Sequence, residues 1–284
     1  MHDKNLVSDG KQAIVKGSKS FSLASFFFSQ EQKEGAWLLY SWCRHVDDEI
    51  DQCSDPELAQ AKVAEVRALT TQALNNPALA SGPYQSLGLI AKKHAIPHQY
   101  SLDLIRGLEI DVAGAHITDE TALLDYCYCV AGTVGLMMCS IMGVTSPKAL
   151  PHALAMGQAM QMTNIARDIQ DDLKIGRIYL PRTWLAECGL SEESFAQNRQ
   201  RWFELADRLL HKAEESYTLG LQRLRYLPWR AAWAVIIAAY IYRAIGRKIL
   251  RQGHQAVERR TYICLREKIW LTLQASCHLL IKKM

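Results

Sequence analysis

The sequence predicts an all-α fold: a single-domain bundle of about eight or nine helices spanning residues 1–284. Three observations lead there. Apolar residues recur at helical spacing through most of the chain. Only 16 Gly and 8 Pro punctuate the 284 residues, too few for a sandwich or barrel that must turn every few residues. No internal repeat, composition shift or Pro/Gly/Ser-rich linker separates two halves. A chain that is 49% apolar and 22% charged buries a sizeable core, which excludes disordered, collagen-like and low-complexity classes.

Taken in order, the helical pattern breaks at Ser54 to Pro56, Asn75 to Pro83, Ala95 to Pro97, Ala115 to Asp119, Ser146/Pro147, Gly176 to Pro181, Gly189 to Ser191 and Leu227/Pro228. Asp55 before Pro56, Ser146 before Pro147, and Ser191 with Ser194 three residues on are helix-start signals. The apolar runs Cys129 to Val144 and Ala231 to Tyr242 are shorter than a bilayer span and read as buried helices. The eight Cys show no CxxC or zinc spacing, and the first residues lack the apolar stretch of a signal peptide. A reducing cytoplasm is the expected location, with the thiols mostly buried.

The net charge of +4 conceals an asymmetry. From Arg243 onward ten Lys/Arg face only Glu258 and Glu267, so that tail carries +8 and the remainder −4. Such a segment, interleaved with Tyr262 and Trp270, can be a solvated helix face, can meet a phosphate-rich substrate, or can lie peripherally on the inner membrane surface through Arg259, Arg260, Lys282 and Lys283. Nothing in the pattern points to nucleic acid.

Chemistry concentrates in two stretches. In a helix expected from about Gly35 to Gln52, Tyr40, Arg44, Asp47 and Asp51 fall within about 60° of one another, while Asp48 sits at the edge of that stripe and Glu49 turns away. In the second, Gln161, Asn164, Asp168, Asp171 and Asp172 share an arc of about 100°. Either alone could be a solvated acidic face. Like charges repel at i, i+4, however, and neither stretch carries the Glu-to-Lys pairing of a solvent face. A cation between the two explains both. Carboxylates plus an amide, with no His or Cys at ligand spacing, suit Mg²⁺ bridging to a phosphate, with Mn²⁺ the alternative. An EF-hand is excluded, because a loop starting at Asp47 would need Gly at 52 and Glu at 58, where Gln52 and Leu58 stand. A bundle whose central cavity is flanked by two acidic helices, with a cationic shell, therefore points to a metal-bridged diphosphate leaving a carbocation in an apolar pocket.

The residues also resemble a known family. Ser18-Lys19-Ser20-Phe21, Trp42-Cys43-Arg44-His45 with Asp47-Asp48-Glu49-Ile50-Asp51, Tyr126-Cys127-Tyr128, Val130-Ala131-Gly132-Thr133-Val134-Gly135, Asn164-Ile165-Ala166-Arg167-Asp168 and Gly176-Arg177-Ile178-Tyr179-Leu180-Pro181 resemble the squalene/phytoene synthase family over nearly the whole chain. The resemblance implies an isoprenoid-synthase bundle and a Mg²⁺-dependent prenyltransferase without NADPH. It further implies head-to-head condensation of two geranylgeranyl diphosphates, through a cyclopropyl diphosphate, to 15-cis-phytoene of carotenoid biosynthesis, with a desaturase as a downstream partner. By resemblance Asp47, Asp48, Asp51, Asn164, Asp168 and Asp172 hold the metals. Ser18, Lys19, Ser20, Arg44, Gln161 and Arg167 meet the diphosphates, and Phe21, Tyr40, Tyr128, Tyr179 and Tyr242 surround the cavity, Tyr128 and Tyr179 with catalytic roles. Gly17 and Cys129 depart from the family pattern. The rivals are a C30 synthase using farnesyl diphosphate, a terpene cyclase, whose second metal helix usually carries a different set, and a non-catalytic assembly factor, which would have eroded ligands. Met137, Met138, Met142, Met156, Met160 and Met162 read as core filler, with adaptable packing beside a lipid tail as the alternative.

These readings have a direct test. Asp47→Asn, Asp51→Asn, Asp168→Asn and Asp172→Asn should each abolish turnover while leaving the helical circular dichroism intact and the fold unchanged or slightly more stable, because uncompensated carboxylates repel. Normal Mg²⁺-dependent turnover in Asp168→Asn overturns the metal assignment.

Overall fold

The computed structural model describes residues 4–53, 55–144, 146–257 and 259–283, which form fourteen α-helices with short connecting turns and no strand among the described residues. In chain order these are α1 (Lys4–Gly17), α2 (Lys19–Ser25), α3 (Gln30–Asp51), α4 (Pro56–Asn75), α5 (Gly82–His94), α6 (His98–Val112), α7 (Glu120–Cys127), α8 (Thr133–Ile141), α9 (Leu150–Lys174), α10 (Arg182–Glu187), α11 (Glu192–Gln197), α12 (Arg199–Gly220), α13 (Trp229–Gln252) and α14 (Leu265–Lys283). The expected eight or nine helices are thus too few. The extra boundaries come from local caps that apolar periodicity does not register, such as Ser18, whose Oγ accepts the Phe21 N–H at the start of α2. Ser54 lies outside the described residues.

The first acidic helix begins at Gln30 rather than near Gly35, because Ser29 and Gln32 form a reciprocal capping box that starts it earlier. Asp55 with Pro56 and Ser191 with Ser194 cap helices as expected. Ser146 does not: its side chain caps nothing, Pro147 opens a 3-10 turn to Ala149, and α9 begins at Leu150.

α3 is oriented by its other side. Leu38, Leu39, Trp42, Val46 and Ile50 are at most 3% exposed in a core shared with α4, α5 and α6, so the stripe of Tyr40, Arg44, Asp47 and Asp51 must face away from that core. α9 runs through a second core with α12 and α13. The two cores meet across the long helix formed by α7, a π-helical turn (Tyr128–Gly132) and α8. By length and composition that helix, Glu120–Ile141, could cross a membrane, but half of its apolar window is buried inside the protein, where it packs on α6 and α9.

Small residues set how closely these helices approach. A Cβ at Gly157 of α9 would collide with the Ala131 carbonyl oxygen, and one at Gly135 would lie 2.7 Å from the Ala153 carbonyl oxygen. The Ala131 to Gly135 run is therefore a helix-packing surface. Because backbone atoms cannot move aside as side chains do, Gly157→Ala should destabilise the fold by about 1–3 kcal/mol, read as a lower urea midpoint at unchanged slope.

Candidate functional site

Between the two cores lies a cavity of about 340 Å³. Its walls follow α9 from Asn164 and Gln161 through Met160, Gly157, Met156 and Ala153 toward Leu150, a run of about 21 Å at 1.5 Å per residue, and on to Ala149 in the turn before it. Tyr40, Cys43, Gln161 and Asn164 line one end; from there the wall is mainly apolar. The methionines divide. Met138, Met142, Met156 and Met160 line the cavity, whereas Met137 and Met162 are fully buried core. Phe21 and Tyr40 are also in the wall. A side chain at Gly17 would displace the Tyr40 hydroxyl, which accounts for the glycine that departs from the family pattern.

At the polar end the carboxylates outnumber the cations close to them. Arg44 donates to Asp48 at 3.0 Å and to Asp47 at 3.2 Å, and Arg177 donates to Asp51 at 2.8 Å. On α9, Asp168 accepts from Arg167 at 2.8 Å and pairs with Arg260 at 3.0 Å. Burial, and next the neighbouring Asp51, push Asp47 up to about 6; burial, and next Asp168, push Asp172 up to about 7. Asp111 of α6 is pushed up to about 6, chiefly by burial. The Arg177 guanidinium opposes the rise at all three. Beside them the Cys43 thiol is pushed up to about 12 by burial and by Asp47, which keeps it un-ionised and apolar.

Arg177 reaches this place through a turn. Gly176 has φ +73°, a left-handed conformation that ends α9, and the Arg177 N–H returns to the Asp172 carbonyl at 2.9 Å, carrying its side chain back over the acids. Asp111 is held from the other side by the hydroxyls of Tyr179 at 2.8 Å and Tyr126 at 3.3 Å, whose rings stack 4.9 Å apart.

The donor set fits a hard divalent cation. Asn164 Oδ1 is buried without a hydrogen-bond partner while its Nδ2 donates to Gln161, and an unsatisfied buried oxygen beside crowded carboxylates is what a bound cation would satisfy. No three His, Cys, Asp or Glu side chains among the described residues form a ready-made chelate, so a cation would take some ligands from water and a phosphate.

Next to the acids is an anion-attracting cluster. Phe21 stacks on Tyr242 at 5.4 Å, and Tyr242 lies in the field of Arg167 and near Ser18. The Lys268 ammonium of α14 is pushed down, first by burial and then by Lys19, so two like charges are held together where a diphosphate would relieve them. Ser20 is half-buried on the first turn of α2.

Not every expected residue is where the cavity reading put it. Tyr128, Tyr179 and Tyr242 do not line the apolar cavity; Tyr242 stacks on Phe21, which does. The half-buried Tyr128 donates to Asp103 at 2.5 Å and the buried Tyr179 to Asp111 at 2.8 Å, both on α6, which turns Tyr179 toward the acidic end instead. Arg260, expected in the membrane-contacting tail, reaches Asp168; the side chains of Lys282 and Lys283 lie outside the described residues. Glu49 turns away as expected and accepts from Tyr84 at 2.7 Å. Sequence reasoning passed over Asp111, Tyr126, Lys268 and the role of Arg177. Only Arg177 had a signal, a cation directly after a helix-ending glycine.

The pattern of the squalene/phytoene synthase family matches residues 14–267. This chain belongs to the squalene/phytoene synthase family. It is 37% identical to the 15-cis-phytoene synthase of Pantoea ananas over 100% of this chain and 95% of that protein, and 40% identical to the 15-cis-phytoene synthase of Enterobacter agglomerans over 92% and 91%. Among solved structures, a dehydrosqualene synthase superposes with TM-score 0.86 at 24% identity over 97% of each chain, and a squalene synthase of Alicyclobacillus acidocaldarius with TM-score 0.76 at 24% identity over 88% and 95%, which shows the isoprenoid-synthase fold. Squalene/phytoene synthases are metal-dependent prenyltransferases that act on prenyl diphosphates.

The raised carboxylates predict a pH dependence. Asp47, Asp111 and Asp172 bind protons more tightly folded than unfolded, where a carboxyl titrates near about 4, so the metal-free fold should gain stability as pH falls from about 8 to about 5. Thermal unfolding in chelator should show that slope, and a divalent cation, which favours the ionised forms, should flatten it. A flat profile in chelator overturns the account.

Proposed function

We propose that the chain joins two geranylgeranyl diphosphates head to head, through a cyclopropyl diphosphate, to 15-cis-phytoene, releasing two pyrophosphates. The observation that carries this reading is the placement of crowded carboxylates and cations at one end of a long apolar cavity lined by adaptable methionines. A bilayer leaflet about 15 Å thick accommodates chains of about sixteen carbons, the main-chain length of a geranylgeranyl group, so the run along α9 has room for one. The phytoene synthase names of the relatives agree with it.

Asp47, Asp51, Asn164, Asp168 and Asp172 would hold Mg²⁺, with Asp48 acting through water. Bound there, Mg²⁺ supplies positive charge to the departing diphosphate. Lys19, Arg167, Arg260 and Lys268 add fixed charge on the same anion, with Ser18, Ser20, Arg44 and Gln161 in the surrounding polar shell. As the first substrate loses pyrophosphate, its allylic cation is captured by the C2=C3 double bond of the second, and loss of a proton from the resulting tertiary cation closes the cyclopropane ring. The cyclopropyl diphosphate then ionises, rearranges to the 1-1′ linkage and loses a proton. Loss of a proton rather than gain of hydride is why no NADPH enters. Phe21, Tyr40 and Tyr242 offer ring faces to cations, and the apolar wall keeps water from quenching them. Tyr179, fixed by Asp111, acts at the acidic rim, and Tyr128 is anchored by Asp103 of the same helix as Asp111. A hydrocarbon product suits an enzyme working at the cytoplasmic face of a membrane and supplying a desaturase.

Purified protein incubated with Mg²⁺, detergent and geranylgeranyl diphosphate should yield a C40 hydrocarbon with a conjugated-triene spectrum, without NADPH, and none with chelator. A C30 product from farnesyl diphosphate, with none from geranylgeranyl diphosphate, overturns the substrate. Failure of both in folded protein overturns the reaction.

A further inference from the structure

The cavity has a second end, some seven helical residues beyond Met156 toward Ala149, and the chain there is built differently. Two connections form the rim. In the α2–α3 turn, Ser25 and Phe28 line the cavity while Phe26 between them is 72% exposed. In the α12–α13 connection, Arg223, Leu224 and Leu227 line it, and Trp229 just beyond is 54% exposed. The two are joined by a run of rings: Phe26 to Phe27 at 6.0 Å, Phe27 to Trp233 at 5.1 Å, and Trp233 to Trp229 at 5.8 Å.

Cations surround these rings. Lys33 lies 5.0 Å from the Phe26 ring, Arg230 5.4 Å from Trp229, and Arg225 5.6 Å from Tyr226. No Asp or Glu occurs in the sequence between Glu215 and Glu258. On the α3 side, Glu31 is paired with Lys93 at 2.8 Å and Glu34 accepts from Gln30 at 2.9 Å. An exposed Phe beside Lys33 and an exposed Trp beside Arg230, with Arg225 close by over Tyr226, match the headgroup layer of an anionic bilayer, where aromatic rings sit at the interface and cationic groups meet phosphate.

We propose that this rim is the surface by which the protein docks on an anionic lipid bilayer, and the port through which its hydrocarbon product leaves the cavity. The inference rests on the proposed function for the identity of the product, not for the surface. Diphosphates, which are charged, would engage at the acidic end; a C40 hydrocarbon has no polar group to carry it back through that end, and its transfer through water is opposed by every methylene. At the rim the apolar end of the cavity lies just behind the surface that would meet lipid. The other exposed apolar face, Leu265, Ile269 and Leu273 on α14, shares no wall with the cavity and so cannot serve as the port.

The test is co-sedimentation of the full chain with vesicles of phosphatidylcholine alone or in equal parts with phosphatidylglycerol. Phe26→Ser and Trp229→Ser should each weaken partitioning by about tenfold, since each removes one large apolar anchor. Arg225→Gln should weaken it only when phosphatidylglycerol is present. All three should keep wild-type helical circular dichroism and wild-type turnover in detergent, and should release less product into vesicles. Leu265→Ser with Leu273→Ser is the comparison and should bind as wild type. The proposal is overturned if the wild type ignores phosphatidylglycerol vesicles, if the rim variants bind unchanged, or if binding is lost only in the α14 variant, which would make that face the docking surface. Absence of product in detergent would count against the proposed function while the vesicle result still decides the surface.

Discussion

The molecule is organised around a charge imbalance: carboxylates on two helices are gathered at one end of a cavity with fewer cations than they need. Asp47 and Asp172 rise toward neutral pH because burial and neighbouring carboxylates act together, and Arg177 is the guanidinium whose field reaches Asp47, Asp111 and Asp172 while its hydrogen bond holds Asp51. That arrangement is poised to accept positive charge. The same imbalance on the anion-binding side, with Lys19 and Lys268 close together, is poised to accept negative charge. On the proposed function, a metal-bridged diphosphate would satisfy both at once.

The imbalance can persist only because the helices that carry it are fixed by something else. The apolar stripe of α3 from Leu38 to Ile50 is locked into one core, and α9 is held against the π-turn segment where Gly157 and Gly135 admit backbone-to-backbone approach. Packing of that density does not relax by small movements. It holds the acids in place against their own repulsion and leaves between the cores a cavity of about 340 Å³ rather than a collapsed seam.

Charge and apolarity are thereby separated along one axis. Acids and their counter-ions occupy the Asn164 end of the cavity, methionines its middle, and aromatic rings with arginines the rim near Phe26 and Trp229. On the proposed function and docking surface, each zone would serve one stage in converting a charged, water-soluble substrate into a hydrocarbon: binding at the acids, rearrangement away from water, and release onto lipid.

Periodicity and spacing determined the all-helical class and the two acidic faces, because helix geometry alone places Asp47 with Asp51 and Asn164 with Asp168, whatever surrounds them; the family followed from the resemblance of the motifs. Local patterns also marked the caps at Asp55 and Ser191. Tertiary structure alone decided which distant groups share the site. Asp111 joins the acids through its tyrosines, Lys268 comes to Lys19 from the last helix, and Arg260 reaches Asp168 across 92 positions in the chain. It also decided that Tyr128 and Tyr179 answer to carboxylates on α6 rather than line the cavity, since a phenol shielded from water takes the acceptor within reach. Helical spacing is a property of neighbours in sequence. Counter-charge, solvent exclusion and hydrogen-bond partners are properties of neighbours in space, and in a bundle those are set by how whole helices pack.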